Sequence, residues 1–326
     1  MTCDYTELRD FVESLDKDSF NNLIDIIESR LVKELLDINS FEEYALKLGR
    51  KPICPYCSNE DYTLIGHSSS NSQRYRCKYC NKTYGLLSNS IFNSTKKRPY
   101  TWIKFINLMI YNVPLECIEF NLNISHNTAF LWRHKIFSTV NEYQNNIELK
   151  GTIWVDEIYV EDLSIKRPEG KKNRGLSKYK KCIVIGIDIF KNIIVKVSGN
   201  GKISTKRFND SLIKNIEKKS TIVHDGEHAH YKLIEKLSLV DEYHKANIKD
   251  KEYLEAMNLI NSFSSWLKRY LFRFIGMKMD NLQSYLNWFV YQFKVKLKDE
   301  KYPKTKRIIR HLLLNEGQYI RESSDS

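Results

Sequence analysis

Four cysteines form the most specific chemical pattern in this sequence. They occur as two CxxC pairs, Cys54 with Cys57 and Cys77 with Cys80, separated by nineteen residues. A CxxC turn places two thiolates on one side of a tight knuckle, and two knuckles make a tetrahedral four-sulfur site suited to zinc. All four ligand positions are filled, so we expect a structural zinc ion that folds a small segment. The alternative, a redox CxxC motif, rarely occurs twice at this spacing.

Two aspartates are the main candidates for catalysis. Asp156 lies inside a predicted strand, Thr152 to Val160, where an ionised carboxylate is costly unless it is paired or bound to a metal. Asp225 lies at the end of a short predicted strand that begins near Ser220. Carboxylates on neighbouring strands can hold magnesium or manganese, and two such ions serve phosphodiester chemistry. The alternative for each aspartate is a structural role at a turn or strand end, in which backbone N–H groups hold its carboxylate.

Further candidate site residues are ranked by the face of the strand or helix on which they lie and by their spacing in the sequence. Glu157 points to the opposite face of its strand from Asp156 because side chains alternate, so it ranks below Asp156 as a ligand. On a long predicted helix, roughly 252–275, Asn261 and Lys268 lie seven residues apart and share one face. Asn261 can offer an amide oxygen to a metal, and Lys268 can hold a phosphate. Spacing alone favours a solvated helix face over this function.

The predicted elements that carry these residues follow the order β-β-β-α-β-α-β-α from residue 151 onward. This is the order of the ribonuclease H fold, an α/β fold in which helices flank a mixed sheet. In that arrangement the strands that carry Asp156 and Asp225 are adjacent in space, which would bring the two carboxylates together.

Residues 100–140 are predicted to form three helices. A short helix from Pro114, a turn at 123–125 and a second helix match the helix-turn-helix pattern, and an ordinary helical bundle is the alternative. The second helix has polar residues at its start. On the DNA-binding hypothesis the groove-facing residues are His126, Asn127 and Thr128, and those near phosphates are Arg133 and Lys135.

Charge is distributed unevenly along the 326 residues. The net charge is +12, but residues 1–50 contain six basic and twelve acidic residues, a net of −6. The remainder therefore carries +18, and residues 51–100 contribute +6 of it with eight basic and two acidic residues. This distribution predicts a DNA surface on the cysteine-rich segment, around Arg74, Arg76 and Lys78. A basic segment at 166–181 is predicted to lie along DNA through Arg174 and Lys180, with a solvated loop as the alternative.

The excess of basic over acidic residues favours a polyanionic partner. Nucleic acid is the first candidate, and an anionic membrane surface is the second. No apolar run approaches the ~18–20 residues that span a bilayer, so we expect no membrane partner. The first ten residues lack the order of a secretory signal. We expect a cytoplasmic, nucleoid-associated prokaryotic protein.

Over roughly residues 50–295 the sequence resembles DDE-class insertion-sequence transposases that have an N-terminal zinc ribbon, a helix-turn-helix and an Asp-Asp-Asn-Lys pattern. Besides the two CxxC pairs, the stretches that carry the resemblance are Trp154–Tyr159, Asn173–Gly186, Val223–Gly226, Asn261–Lys268 and Tyr285–Phe289. Their order and spacing together are specific, although no single stretch is diagnostic.

The resemblance implies metal-dependent DNA cleavage at element ends and strand transfer into a target, with magnesium or manganese as cofactor. It implies that Asp156 and Asp225 are metal ligands, that Asn261 is the third active-site residue, and that Lys268 contacts DNA phosphate. The commoner third residue is Glu, and Glu255 is a weaker candidate ligand. Because a synaptic complex holds two DNA ends, the chemistry also predicts self-association on double-stranded DNA.

These inferences predict five segments. They are an acidic helical segment (1–48), a zinc ribbon (49–94), a helix-turn-helix region (95–148), a ribonuclease H-like catalytic domain (149–300) and a basic to polar, loose tail (301–326). Two other functions stay open: a non-enzymatic zinc-ribbon and helix-turn-helix regulator, and a ribonuclease H-like nuclease. The regulator does not explain two aspartates on strands ahead of an Asn/Lys helix.

Overall fold

The computed structural model describes residues 5–69, 71–93, 95, 97–162, 178–245, 247, 249–274, 276–297 and 304–317. Arg174 and most of the basic segment at 166–181 lie outside these residues. The described residues fall into two compact units. The first draws on 1–111, 118–125 and 300–320, and the second on 112–117, 126–299 and 321–326.

Three helices begin the first unit: α1 (Tyr5–Glu13), α2 (Lys17–Leu36) and α3 (Phe41–Lys47). The helices α1 and α2 are separated by residues 14–16. The carboxylate of Asp16 accepts a hydrogen bond from the Ser19 backbone N–H at 2.7 Å, and Ser40 caps α3 in the same way. Such caps satisfy N–H groups that have no partner within the helix.

A three-stranded antiparallel sheet follows, with strands β1 (Tyr62–His67), β2 (Gln73–Cys77) and β3 (Thr83–Gly85) in that order. Along β2 exposed and buried residues alternate, as expected for a strand with one covered face. Tyr75 is buried and its ring lies 5.8 Å from that of Tyr84 on β3. The sheet therefore has only a small aromatic core of its own.

The C-terminal helix (Lys304–Leu314) corrects the prediction of a loose tail at 301–326. Its apolar face is buried and packs against α3 and α4 (Pro99–Ile110) of the same unit. The buried apolar residues are Ile308, Ile309, Leu312 and Leu313. Arg310 lies between them and the other basic residues of this segment precede them, so the apolar residues recur at the three- and four-residue spacing of an amphipathic helix.

Two helices lead toward the second sheet, α5 (Leu115–Leu122) and α6 (His126–Ser138). The turn between them contains Asn123, whose φ of +48° lies in the left-handed region that Asn tolerates. The predicted positions of these two helices and their turn agree with the structure.

The second unit is built on a five-stranded mixed sheet with helices packed against it, which confirms the predicted α/β class. Its strands are β4 (Thr152–Glu161), β5 (Lys180–Asp188), β6 (Ile193–Asn200), β7 (Thr221–His224) and β8 (Val240–Tyr243). The spatial order is β6-β5-β4-β7-β8. The pairs β4–β5 and β5–β6 are antiparallel, whereas β4–β7 and β7–β8 are parallel.

The helices of this unit are α7 (Thr205–Leu212), α8 (Tyr231–Leu237), α9 (Lys251–Ala256), α10 (Asn258–Phe272) and α11 (Leu282–Leu297). Ile153 and Val155 of β4 belong to an apolar core with Leu212 of α7 and Leu233 of α8. The opposite face of β4 meets α10. Consecutive β4 residues therefore alternate between an apolar core and the α10 side. Among the described residues, none of the helices has both the length and the apolar character needed to cross a bilayer.

Candidate active site and metal centres

The four cysteines of the first unit converge on one point. The Sγ atoms of Cys54 and Cys80 lie 3.6 Å apart, and those of Cys57 and Cys77 lie 3.5 Å apart. Tetrahedral zinc with Zn–S bonds of about 2.3 Å places its sulfurs about 3.8 Å apart. A disulfide requires an S–S distance of about 2.05 Å. The donor set and its spacing therefore fit a zinc ion.

The backbone around the two cysteine pairs repeats the same turn. Ser58 N–H donates to the Cys54 carbonyl at 2.9 Å, and Asn81 N–H donates to the Cys77 carbonyl at 3.0 Å. Ser58 and Asn81 have φ values of +58° and +59°. The Cys80 backbone N–H lies 3.5 Å from the Cys77 sulfur, and this donor lowers the pKa of the Cys77 thiol to about 7. Such N–H groups favour the thiolate form that a metal binds.

The basic side chains predicted to contact DNA stand on the open face of this sheet. Arg74 and Arg76 are exposed on β2, and Tyr75 between them points to the buried face. Lys78 is also exposed, directly after Cys77. These three cations are therefore available to a polyanion.

In the second unit, Asp156 and Asp225 lie on neighbouring parallel strands. The register pairs Trp154 of β4 with Val223 of β7, so the aspartates stand at equivalent positions two residues further along. Gly226 follows Asp225 with a φ of +83°, a conformation that permits the sharp turn there. The two carboxylates are close enough for the charge of Asp225 to raise the pKa of Asp156.

Helix α10 faces these carboxylates. Ser264 Oγ donates to the Asp156 carboxylate at 3.4 Å, and Asn261 lies one turn earlier on the same helix. Burial, followed by the charge of Asp225, raises the pKa of the nearby Tyr253 hydroxyl. Lys268 is exposed, one turn beyond Ser264. The structure thus places Ser264 against Asp156 and Tyr253 near Asp225, with Asn261 on the same helix; Asn261 stays a predicted ligand and Lys268 a predicted phosphate contact.

The electrostatics of Asp156 favour a bound cation. Burial, followed by the neighbouring Glu157 carboxylate, raises the pKa of Asp156 to about 6. Oxygen donors from two carboxylates and one amide form the set that magnesium and manganese prefer. A cation at this site would relieve the repulsion that the ionised carboxylates experience.

The raised pKa predicts that Asp156→Asn stabilises the protein in buffer without magnesium or manganese. Because the folded-state pKa lies above the unfolded value of 3.8, ionisation of Asp156 opposes folding; this cost appears above about pH 4 and is complete above about pH 6. A rise in pKa of about two corresponds to at most about 3 kcal/mol. We expect the melting temperature at pH 7.5 to rise by a few degrees, measured by differential scanning fluorimetry, and the gain to shrink as the pH falls from about 6 to about 4. A lower melting temperature at pH 7.5 would contradict this assignment.

The predicted DNA contacts on α6 divide into two groups. His126 and Asn127 are exposed at its start, and Thr128 is half-buried, as is Lys135 further along. Arg133 corrects the prediction: it is 2% exposed, donates to the Val113 carbonyl at 2.6 Å and lies 5.1 Å from the Phe274 ring. These contacts hold the guanidinium inside the unit, so it is not available to bind a phosphate.

Of the two residues through which the basic segment is predicted to contact DNA, Arg174 and Lys180, the structure describes Lys180. It is half-buried at the start of β5, and its ammonium lies 3.7 Å from the Glu161 carboxylate. An ion pair with this much exposure contributes little to stability, so a stronger anion can displace it. Lys180 therefore stays a predicted DNA contact.

Comparisons with known proteins point to one class. Residues 148–294 match the family model of the ISXO2-like transposase domain. The matched domain contains Asp156, Asp225, Asn261 and Lys268. The chain is also 24% identical, over 250 residues, to an uncharacterised protein in transposable element ISH50 of Halobacterium salinarum. That alignment covers 72% of this chain and 83% of the relative.

Solved structures give weaker similarities. A Mos1 transposase paired-end complex with the left transposon end matches with a TM-score of 0.28 at 15% identity, covering 68% of this chain and 78% of that chain. A simian T-cell lymphotropic virus intasome bound to PP2A regulatory subunit B56 gamma matches with a TM-score of 0.31 at 9% identity, covering 61% and 76%. Scores at this level do not establish a shared fold.

Proposed function

We propose that this protein is a DNA transposase of an insertion sequence, with a ribonuclease H-like catalytic domain behind a zinc ribbon and a helix-turn-helix. One observation carries the proposal. Asp156 and Asp225 stand side by side on parallel strands, opposite a helix that presents Asn261, within the stretch that matches the transposase domain. The relative in a transposable element supports the same class.

Each residue has a role in this proposal. Asp156 and Asp225 hold the divalent cations through carboxylate oxygens, and Asn261 adds a neutral amide oxygen. Magnesium or manganese, when bound, supplies charge stabilisation for in-line attack at phosphorus. Ser264 orients the Asp156 carboxylate through its hydrogen bond. Lys268, exposed on α10, positions a DNA phosphate beside the carboxylates.

DNA binding is assigned to surfaces on both units. The zinc ribbon contributes Arg74, Arg76 and Lys78, and the start of α6 contributes His126 and Asn127. Double-stranded DNA, both element ends and target, is the proposed partner. Because strand transfer joins two ends to one target, we propose that the chain self-associates in a synaptic complex.

The direct test is a joining assay. Purified zinc-loaded protein is mixed with a labelled DNA fragment from the end of its own element and with a plasmid target. Joined products that require magnesium or manganese support the proposal. DNA binding without joining would favour the regulator, and cleavage of RNA–DNA hybrids without joining would favour the nuclease.

The proposed DNA surface on the ribbon predicts a change in salt dependence. Replacing Arg74, Arg76 and Lys78 with Gln should reduce the slope of log binding constant against log salt by about 0.9 for each phosphate that is no longer neutralised. Fluorescence anisotropy between about 50 and 200 mM salt measures the slope. A matched control removes the same charge elsewhere, by replacing the exposed Arg9, Lys17 and Arg30 of α1 and α2. An equal change in both triple variants would contradict this surface.

A further inference from the structure

A second polar cluster lies on the other face of the strands that carry the aspartates. His230 Nε2 lies 2.7 Å from the Glu157 carboxylate, His230 Nδ1 lies 2.8 Å from His224 Nδ1, and His224 Nε2 lies 2.9 Å from the Asp241 carboxylate. Both imidazoles are fully buried, and the Glu157 side chain is 7% exposed. We call these four side chains the Glu157–Asp241 network. It runs from β4 through β7 to β8.

The hydrogen bonds assign the protons of the two rings. Gly226 N–H donates to His224 Nδ1 at 3.2 Å, so this nitrogen is an acceptor. His224 therefore carries its proton on Nε2 and donates it to Asp241. His230 Nδ1 must then donate to His224, and one further proton is shared between His230 Nε2 and the Glu157 carboxyl group, 2.7 Å apart. Every ring nitrogen has a partner, and the Phe208 ring lies 4.2 Å from that of His230.

A metal ion does not explain this cluster. His224, Asp225 and His230 offer ligand atoms within 4.8 Å of one another. Two nitrogens that bind one tetrahedral metal at about 2.0–2.1 Å lie about 3.3 Å apart, whereas these lie 2.8 Å apart. The single lone pair of His224 Nδ1 that a metal would need already faces two donors, His230 Nδ1 at 2.8 Å and the Gly226 N–H at 3.2 Å. Hydrogen bonding accounts for the geometry.

The Glu157–Asp241 network lies where the backbone pairing of β4 and β7 ends. The β4–β7 register ends at the pair Trp154 and Val223, and β7 ends at His224. Asp156 and Asp225 therefore stand just beyond the last ladder pair. There the like charges of the two aspartates repel each other. Glu157 and His224 are the backbone neighbours of the two aspartates, and His230 joins their side chains where the ladder has stopped.

We propose that Glu157 and His230 are positioning residues for the divalent-metal centre of the proposed transposase. The Glu157–Asp241 network fixes the separation of β4 and β7 beyond their last backbone pair, and thereby the distance between the Asp156 and Asp225 carboxylates. Groups that orient metal ligands change metal affinity by about 10–100-fold when removed. The inference rests on the proposed function, because it assumes that the two aspartates share cations.

The test measures manganese affinity by electron paramagnetic resonance in zinc-loaded protein. Glu157→Leu removes the hydrogen-bond partner of His230 Nε2 and should weaken manganese binding by about 10–100-fold. Glu157→Gln keeps a group that can donate or accept this hydrogen bond and should bind within about threefold of wild type. Leu233→Ala is the matched control: Leu233 is fully buried in α8 and its truncation destabilises the same core. It should lower the melting temperature and leave manganese affinity unchanged.

The outcomes separate this inference from the proposed function. Wild-type affinity in Glu157→Leu, or an equal loss in Leu233→Ala, overturns the positioning role while leaving the transposase proposal intact. Failure of the wild-type protein to bind manganese or to join DNA overturns both. Should Glu157→Leu not fold, Asp241→Ala replaces it, because the Asp241 side chain is 35% exposed at the far end of the network. Full manganese affinity in that variant would also overturn the inference.

Discussion

Asp156→Ala should abolish the joining of DNA ends while leaving DNA binding intact. The Asp156 carboxylate is half-buried, lies near Asp225 and accepts a hydrogen bond from Ser264 of α10. Metal stabilisation of transition-state charge contributes several kcal/mol, so its loss should slow joining by at least about a thousandfold. The rate is measured with a labelled element end and plasmid target. Asp225→Asn should cause a loss of the same order.

The control for this prediction is Asp210→Asn. Asp210 is exposed on α7 in the same unit, and its replacement removes the same charge. Joining should stay within about twofold of wild type, because a surface charge change leaves the site untouched. Gel-shift binding to the element end is compared in all variants. Full joining by Asp156→Ala would show that the chemistry lies elsewhere.

Cys77→Ser should remove the zinc ion and unfold the three-stranded sheet. The sheet has a small aromatic core, so its stability comes from the metal, and structural zinc contributes about 10–16 kcal/mol in comparable small domains. We expect zinc content, measured by inductively coupled plasma mass spectrometry, to fall from about one ion per chain to near none. Limited proteolysis should then cut within β1 to β3, and binding to the element end should weaken.

Cys117→Ser tests whether this effect is specific to the cysteine cluster. Cys117 is an exposed thiol on α5 that belongs to neither CxxC pair. Its replacement should leave zinc content and the proteolysis pattern unchanged. Retention of zinc by Cys77→Ser would contradict the four-sulfur site.

Features with a local signal were predictable from the sequence. The CxxC spacing fixes two knuckles within a few residues, and the structure places all four sulfurs together. The side-chain alternation along β4 separates Asp156 from Glu157, and Glu157 indeed bonds His230 on the other face. The order of strands and helices predicted the adjacency of Asp156 and Asp225, since β4 and β7 pair in parallel.

Features that depend on distant partners were missed. His224 and His230 lie six residues apart, but their role emerges only when Glu157 and Asp241 arrive from other strands. Arg133 was predicted to be a surface cation, and only tertiary packing against Val113 and Phe274 shows it buried.

The C-terminal helix was missed although a local signal exists. Ile308, Ile309, Leu312 and Leu313 follow helical spacing, with Arg310 between them. The basic residues made this segment resemble a solvated tail. The spacing of its apolar residues indicates an amphipathic helix, so periodicity is a better guide than composition over residues 304–314.

Asp156 and Asp225 should hold divalent cations between them, and anomalous X-ray scattering from crystals of the zinc-loaded protein soaked in manganese would show the ions directly. We expect a manganese peak within about 2.2 Å of oxygens from both carboxylates, on the α10 side of the sheet. This peak should vanish in Asp156→Ala. Manganese bound elsewhere in the second unit, with none between the two aspartates, would contradict this shared site.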